Sequence, residues 1–130
     1  MITSEIDEII EISEILMNLS YFYISFSIFI MENCHDFLQY IDKYLSNFQN
    51  FTKENFIIFF NFIFILANII NDIRPKNSNF EEIFFSYINI NTIFVLFEEY
   101  FSLPVYGRHL IIWLITNILK RRNNYVSNRL

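Results

Sequence analysis

The sequence predicts an all-α fold built as a stack of repeated helical units, and three observations predict it. Gly occurs once and Pro twice in 130 residues, too few for the turns of a many-stranded β-fold. Apolar residues recur at helical spacing between short polar breaks. Three similarly built segments also recur: Leu16-Met17-Asn18-Leu19, Leu66-Ala67-Asn68-Ile69 and Ile115-Thr116-Asn117-Ile118, with their asparagines 50 and 49 residues apart.

The elements follow in order. Thr3 or Ser4 caps a first helix whose apolar stripe is Ile6, Ile9, Ile10, Leu16 and Leu19. A second helix covers about Tyr23–Glu32 and ends at Asn33-Cys34-His35. Asp36 caps a third, which turns Phe37, Leu38, Ile41, Tyr44 and Leu45 inward. Asn47–Asn50 is a polar turn. Thr52 opens a long helix to about Ile73, although Thr52-Lys53-Glu54-Asn55 lacks the acidic residue of a full capping box. This helix is apolar nearly all round, which suits burial between neighbours. Arg74–Asn79 is a linker with Pro75 as a stop. Short helices over about Phe80–Tyr87 and Asn91–Phe101 follow. Pro104 suits the first turn of a last helix reaching about Arg122, where Lys120, Arg121 and Arg122 complement the helix dipole. Asn123–Leu130 reads as a frayed tail.

The order long, short, medium thus repeats. It divides a single domain, 1–130, into pieces 1–22, 23–73 and 79–122 with a tail at 123–130. That is an armadillo-type α-solenoid of about two and a half three-helix repeats, slightly longer than the usual spacing of about 40–47 residues.

A net charge of −5 argues against nucleic acid and permits a basic peptide partner. A single cysteine, Cys34, allows no internal disulfide and no Cys-rich zinc site, and is expected as a small buried side chain. The only histidines are His35 and His109, and the side chains of Cys34-His35-Asp36 diverge, so no metal or other cofactor is expected. No nucleophile, base and orienter come together, and the chain is not expected to be an enzyme. The acidic start MITSEIDEIIE does not read as a signal or transit peptide. Two uncharged runs, Ile15–Met31 and Asn55–Asn71, lie at the short end of the membrane-spanning range. Their acidic flanks are unusual for spans. They nevertheless keep a small helical integral membrane protein as an alternative, beside a generic helical adaptor that binds amphipathic helices.

One pattern carries chemistry. Asn117 follows Trp113 by four residues and Asn68 follows Phe64 by four, so each pair shares a helix face. An amide can donate to a peptide carbonyl and accept from its N–H. The aromatic plates beside the amides suit the stem of Lys or Arg, with cation–π attraction added. Asp72, four residues beyond Asn68, is placed to meet a lysine head group. On spacing alone, core packing for the aromatics and hydrogen bonds between repeats for the asparagines are favoured over a binding groove.

A resemblance supports the groove. Phe64-Ile-Leu-Ala-Asn68-Ile-Ile-Asn-Asp72 resembles the W-A-L-G-N-I-A-G-D stretch of importin-α, the adaptor for nuclear localisation signals. Phe80–Tyr87 and Asn91–Phe97 resemble that family's first and second helices. Tyr106–Lys120, with Trp113 and Asn117, resembles its W-x-L-x-N-L-x-R helix. Residues 56–124 thus look like the third and fourth repeats, and Ser27–Leu45 more loosely like part of the preceding one. The resemblance implies a nuclear import adaptor of cytoplasm and nucleus that binds extended Lys/Arg-rich localisation peptides of cargo proteins. It implies Trp113 and Asn117 for a side-chain slot, with Phe64 as the neighbouring plate. Asn68 is implied as a backbone clamp, Asp72 for a salt bridge and Asn18 as a third clamp. Phe64 stands where the family has Trp, and Glu14 where the first Trp would stand. Glycines between first and second helices are replaced by Asn33-Cys34 and Ile88-Asn89. The family's basic importin-β-binding arm and later repeats have no counterpart here. The apolar last helix, with Leu110, Ile111, Ile112, Leu114 and Ile115, therefore predicts pairing with a second copy or with a missing C-terminal half.

Overall fold

The computed structural model describes residues 5–72 and 78–129, with side chains except those of 72–81, 100 and 121–129. Among the described residues seven α-helices follow in order: α1 Glu5–Phe22, α2 Ile24–Asn33, α3 His35–Leu45, α4 Lys53–Asp72, α5 Ser78–Tyr87, α6 Ile90–Glu98 and α7 Val105–Arg129. Short 3₁₀ turns at Phe48–Asn50 and Tyr100–Ser102 lead into α4 and α7. No strand occurs among the described residues, and the chain is all-helical. The expected cap at Thr3 or Ser4 and the stop at Pro75 lie outside the described residues.

Local chemistry explains the breaks. Tyr23 adopts an extended backbone (φ −129°, ψ 110°), so α1 ends there although the Tyr23 N–H still reaches Leu19 O at 3.0 Å. α1 and α2 are bent by 117° across this residue, so the uncharged run 15–31 is divided between two helices. α4 is long and apolar enough to cross a membrane, but 61% of its most apolar window is buried inside the protein. Helix α3 begins at His35, one residue before the expected cap Asp36, and Cys34 at its N-cap is half-buried against the core.

Thr52 caps α4 with an amide in the role usually taken by Glu. The Asn55 N–H donates to Thr52 Oγ1 at 3.3 Å, and Asn55 Oδ1 accepts from the Thr52 N–H at 3.1 Å. The reciprocal pair of a capping box is thereby complete without an acid. Asn89 caps α6 by accepting from the Asn91 N–H at 2.9 Å, and its own N–H is held by Asp42 Oδ1 at 2.9 Å. Helix α6 stops at Glu98, short of the expected Phe101, because Glu99–Ser102 tightens into the turn before Pro104. At the other end α7 passes the expected limit near Arg122 and continues to Arg129, with neither Gly nor Pro beyond Gly107 to break it.

The three long helices form one layer. α4 packs most extensively against α1 on one side and α7 on the other. Ser13 meets Asn61 and Ser20 meets Asn68, so α1 and α4 run parallel in a constant register. Phe60 meets Tyr106 and Phe64 meets Trp113, so α7 runs parallel to both. α2 and α3 pack against the other side of α4, and α5 packs against α2 and α3. Between Ile58 and Ile70 every α4 residue is buried except Phe60 and Phe64, which are half-buried. The nearly all-round apolar character of this helix therefore matches its central position. Phe59, Ile63, Leu66 and Ile69 meet Met31, Leu38, Ile41, Ile111 and Leu114 in one continuous core.

Candidate peptide-binding face

The outer side of the α1–α4–α7 layer is left uncovered by the short helices. On α1 the residues turned to α4 are Ile6, Ile10, Ser13, Met17 and Ser20, and those turned to α3 are Ile9, Ile12 and Leu16. Helical spacing then puts Asp7, Glu11, Glu14, Asn18 and Tyr21 on the outer side, and all five are exposed. On α4 the outer stripe is Ile57, Phe60, Phe64 and Asn71; on α7 it is Tyr106, His109, Trp113 and Lys120.

Aromatic rings cross this face. The Tyr21 ring lies 6.1 Å from that of Phe64, and Phe64 lies 5.2 Å from Trp113 at an interplanar angle of 56°. Phe22 packs edge-on against Tyr21 at 5.0 Å. Phe64 and Trp113, expected as plates on either side of a slot, are instead in direct contact. An aliphatic stem sandwiched between two rings needs about 3.5–4 Å on each side, more than 5.2 Å provides. A cation on this face meets the outward faces of Tyr21, Phe64 and Trp113 and does not enter a gap between the last two.

The asparagines behave differently from clamps held open for a peptide. Asn68 is 4% exposed, and its Nδ2 donates to Ser20 Oγ at 3.0 Å. Asn117 is 9% exposed, and its Nδ2 donates to Ala67 O at 3.4 Å. One N–H of each amide thus ties neighbouring long helices together, as spacing alone suggests. Asn18 is exposed, level with neither tie. Asp72 is the last residue of α4, and its side chain lies outside the described ones.

Sequence reasoning missed Ser13, Ser20 and Tyr21. Each serine hydroxyl donates to the carbonyl three residues back, Ile10 O and Met17 O, both at 2.8 Å. That leaves the oxygen to accept an amide N–H from α4. The available signal was the seven-residue spacing of Ser13 and Ser20, matched by Asn61 and Asn68. Tyr21 supplies the first ring of the row, seven residues beyond Glu14, where the resemblance lacks a Trp.

Among the described residues no group of His, Cys, Asp and Glu side chains is placed to hold a metal ion. His35 bonds Met31 O at 2.8 Å and stacks on Tyr87 at 4.5 Å, a packing role. No protein-family model, no curated protein and no solved structure matches the chain.

Proposed function

We propose that the chain is a reduced armadillo-type stack that receives an extended Lys/Arg-rich peptide across the outer face of α1, α4 and α7. The observation that carries this reading is the row Tyr21–Phe64–Trp113 crossing three parallel helices, with exposed Asp7, Glu11 and Glu14 on the same side of α1, two to four turns before its first ring. Rings attract cations through their faces, and carboxylates on the same surface concentrate basic chains. Packed helices stand about 8–10 Å apart, and an extended chain advances about 3.3 Å per residue. A segment of about six residues therefore crosses all three. Nuclear localisation peptides of cargo proteins are the partner class that the importin-α resemblance suggests. The buried amides of Asn68 and Asn117 act in this reading as struts that hold the rings in line, while Trp113 and Glu14 act on the peptide directly.

A titration with a fluorescent Lys-rich localisation peptide tests it, beside the same peptide with its central lysine replaced by threonine. Saturable binding is expected, at least tenfold weaker for the altered peptide, for Trp113→Ala and for Tyr21→Ala, and weaker in high salt. Equal binding of both peptides by a folded helical sample would end the proposal.

A further inference from the structure

A cleft of about 380 Å³ opens between α1 and α3, on the opposite side of α1 from the outer face. Its aliphatic wall is Ile9, Ile12 and Leu16. The rest is aromatic: Phe37 and Tyr40 of α3 and Phe62 of α4. The Phe62 ring stands nearly at right angles to both others, at 88° and 6.1 Å from Phe37 and at 83° and 5.9 Å from Tyr40. Asp36 lines the same cleft, is exposed, and has no hydrogen bond or ion pair from its carboxylate among the described residues. Ser13 lines it too, but its hydroxyl is taken up by Ile10 O at 2.8 Å and by the Asn61 amide at 2.9 Å. Glu5 and Glu8 precede Ile9 and Ile12 by four residues, on the same side of α1, and both are exposed. Lys43, the one Lys or Arg of α3, stands about two turns beyond Asp36.

From this arrangement we infer that the cleft binds a trimethylammonium group on an aliphatic stem, the chemistry of an N-trimethylated lysine side chain. A cation within about 6 Å of a ring centroid is attracted to the ring. Between rings set at right angles and this close together, one small cation satisfies that distance to two of them. Methylation suits the place because a trimethylated nitrogen has no N–H to satisfy. An unmethylated ammonium brings three strongly hydrated donors into a cleft lined mostly by carbon. Ile9, Ile12 and Leu16 give the stem an apolar surface to lie along. The carboxylates of Asp36, Glu5 and Glu8 attract a cation and repel a phosphate, so the stem is neutral and the ligand is not a phosphocholine headgroup. Rings and carboxylates thus select different features: the rings select the methylated head, and the carboxylates select its charge. The cleft is separate from the row Tyr21–Phe64–Trp113, and the inference does not rest on peptide binding there.

Titration of the full chain with N-acetyl trimethyl-lysine amide, followed by NMR of the backbone amides, tests it. Saturable shifts are expected over residues 9–16 and 36–40, while the indole signal of Trp113, the one Trp, stays in place. A carbon analogue with tert-butyl in place of trimethylammonium is expected to bind about tenfold more weakly, within what cation–π attraction supplies at a desolvated site. Unmethylated lysine amide and phosphocholine are expected to bind more weakly as well. Tyr40→Ala is expected to lose about tenfold and Tyr40→Phe to stay near the wild type, because the ring is kept. Asp36→Asn is expected to lose about threefold, as for an exposed ion pair. Both side chains are exposed, so the helical circular dichroism is expected to be unchanged. If Tyr40→Ala alters it, Asp36→Asn and the carbon analogue decide. No saturable shift, shifts centred on Trp113, or equal binding of the carbon analogue or of phosphocholine would each overturn the site.

Discussion

The two junctions of the long-helix layer hold parallel helices in nearly the same register with different chemistry. Between α1 and α4 the contact is polar at its centre: Asn61 donates to Ser13 at 2.9 Å and Asn68 to Ser20 at 3.0 Å, and all four residues are buried. Between α4 and α7 a single-ended tie is seen, the 3.4 Å contact from Asn117 Nδ2 to Ala67 O. Close approach and rings take over there, with Phe60 against Gly107 and Tyr106, and Phe64 against Trp113. The first junction depends on buried partners being present in pairs, since an orphaned buried donor costs far more than a matched pair gains. The second depends on shape. The comparison teaches that a repeated geometry does not require a repeated set of contacts.

The largest effect expected is at Gly107. A Cβ there would meet Phe60 Cε1 at 2.5 Å, so a side chain must displace the ring. Gly107→Val is expected to cost about 3 kcal/mol, the upper part of the range for overpacking. Phe60→Leu in the same chain is expected to recover most of it. Urea unfolding of the single and double variants measures both; an undestabilised single variant would mean that the junction is loose.

Next comes the polar junction. Ser20→Ala leaves the Asn68 amide buried without its acceptor and is expected to cost about 1–3 kcal/mol. Ser20→Ala with Asn68→Leu removes donor and acceptor together and is expected to lie within about 1 kcal/mol of the wild type. A double-mutant cycle in urea reads the coupling. Additive losses would show that the rung is no unit. Asn117→Ala is smaller again, at about 0.5–1 kcal/mol, because its bond to Ala67 O is long. A loss equal to that of Ser20→Ala would erase the distinction between the junctions.

How much of this was legible in the sequence follows from the same contrast. The order of helices was readable because each long helix carries a wide apolar face and the longer breaks carry Asn, Ser or Pro. The ring pair Phe64–Trp113 was readable as two positions on equivalent helices, and so was the recurrence of Asn68 and Asn117. Their surroundings were not. Periodicity places a residue on a face but does not say which neighbour covers that face. The amides therefore read equally as clamps for a ligand and as ties to the next helix. Ser13 and Ser20 are small and polar and interrupt the apolar stripe of α1, so hydropathy points them outward; only the opposing amides make their burial possible. The extent of α7 was underestimated because the polar stretch Asn123–Leu130 reads as a frayed tail, whereas weak helix formers alone do not end a helix already propagated for many turns.

The smallest effect lies where the turn after α3 enters α4, beneath both junctions. Burial raises the Tyr44 phenol above its ordinary value, the hydrogen bond from Asn55 opposes this, and Tyr40 adds to it. Asn55 Nδ2 donates to Tyr44 Oη at 3.0 Å while Asn55 also closes the cap of α4, so the phenol is linked to the start of the central helix. The sign follows from the proton count. Above the ordinary phenol value of about 10 the unfolded chain releases this proton while the folded chain still holds it. The stabilising contribution is therefore complete below that value and is lost as pH rises through the folded one. Tyr44→Phe removes the titrating group, so its urea midpoint is expected to fall less than the wild type's between about pH 8 and pH 11. Parallel falls in the two proteins would mean that the phenol is as well solvated folded as unfolded, and that the start of α4 is open to water. A difference confined to the alkaline range, with both junction cycles unchanged by pH, would place the effect at the cap and leave the contrast between the junctions intact.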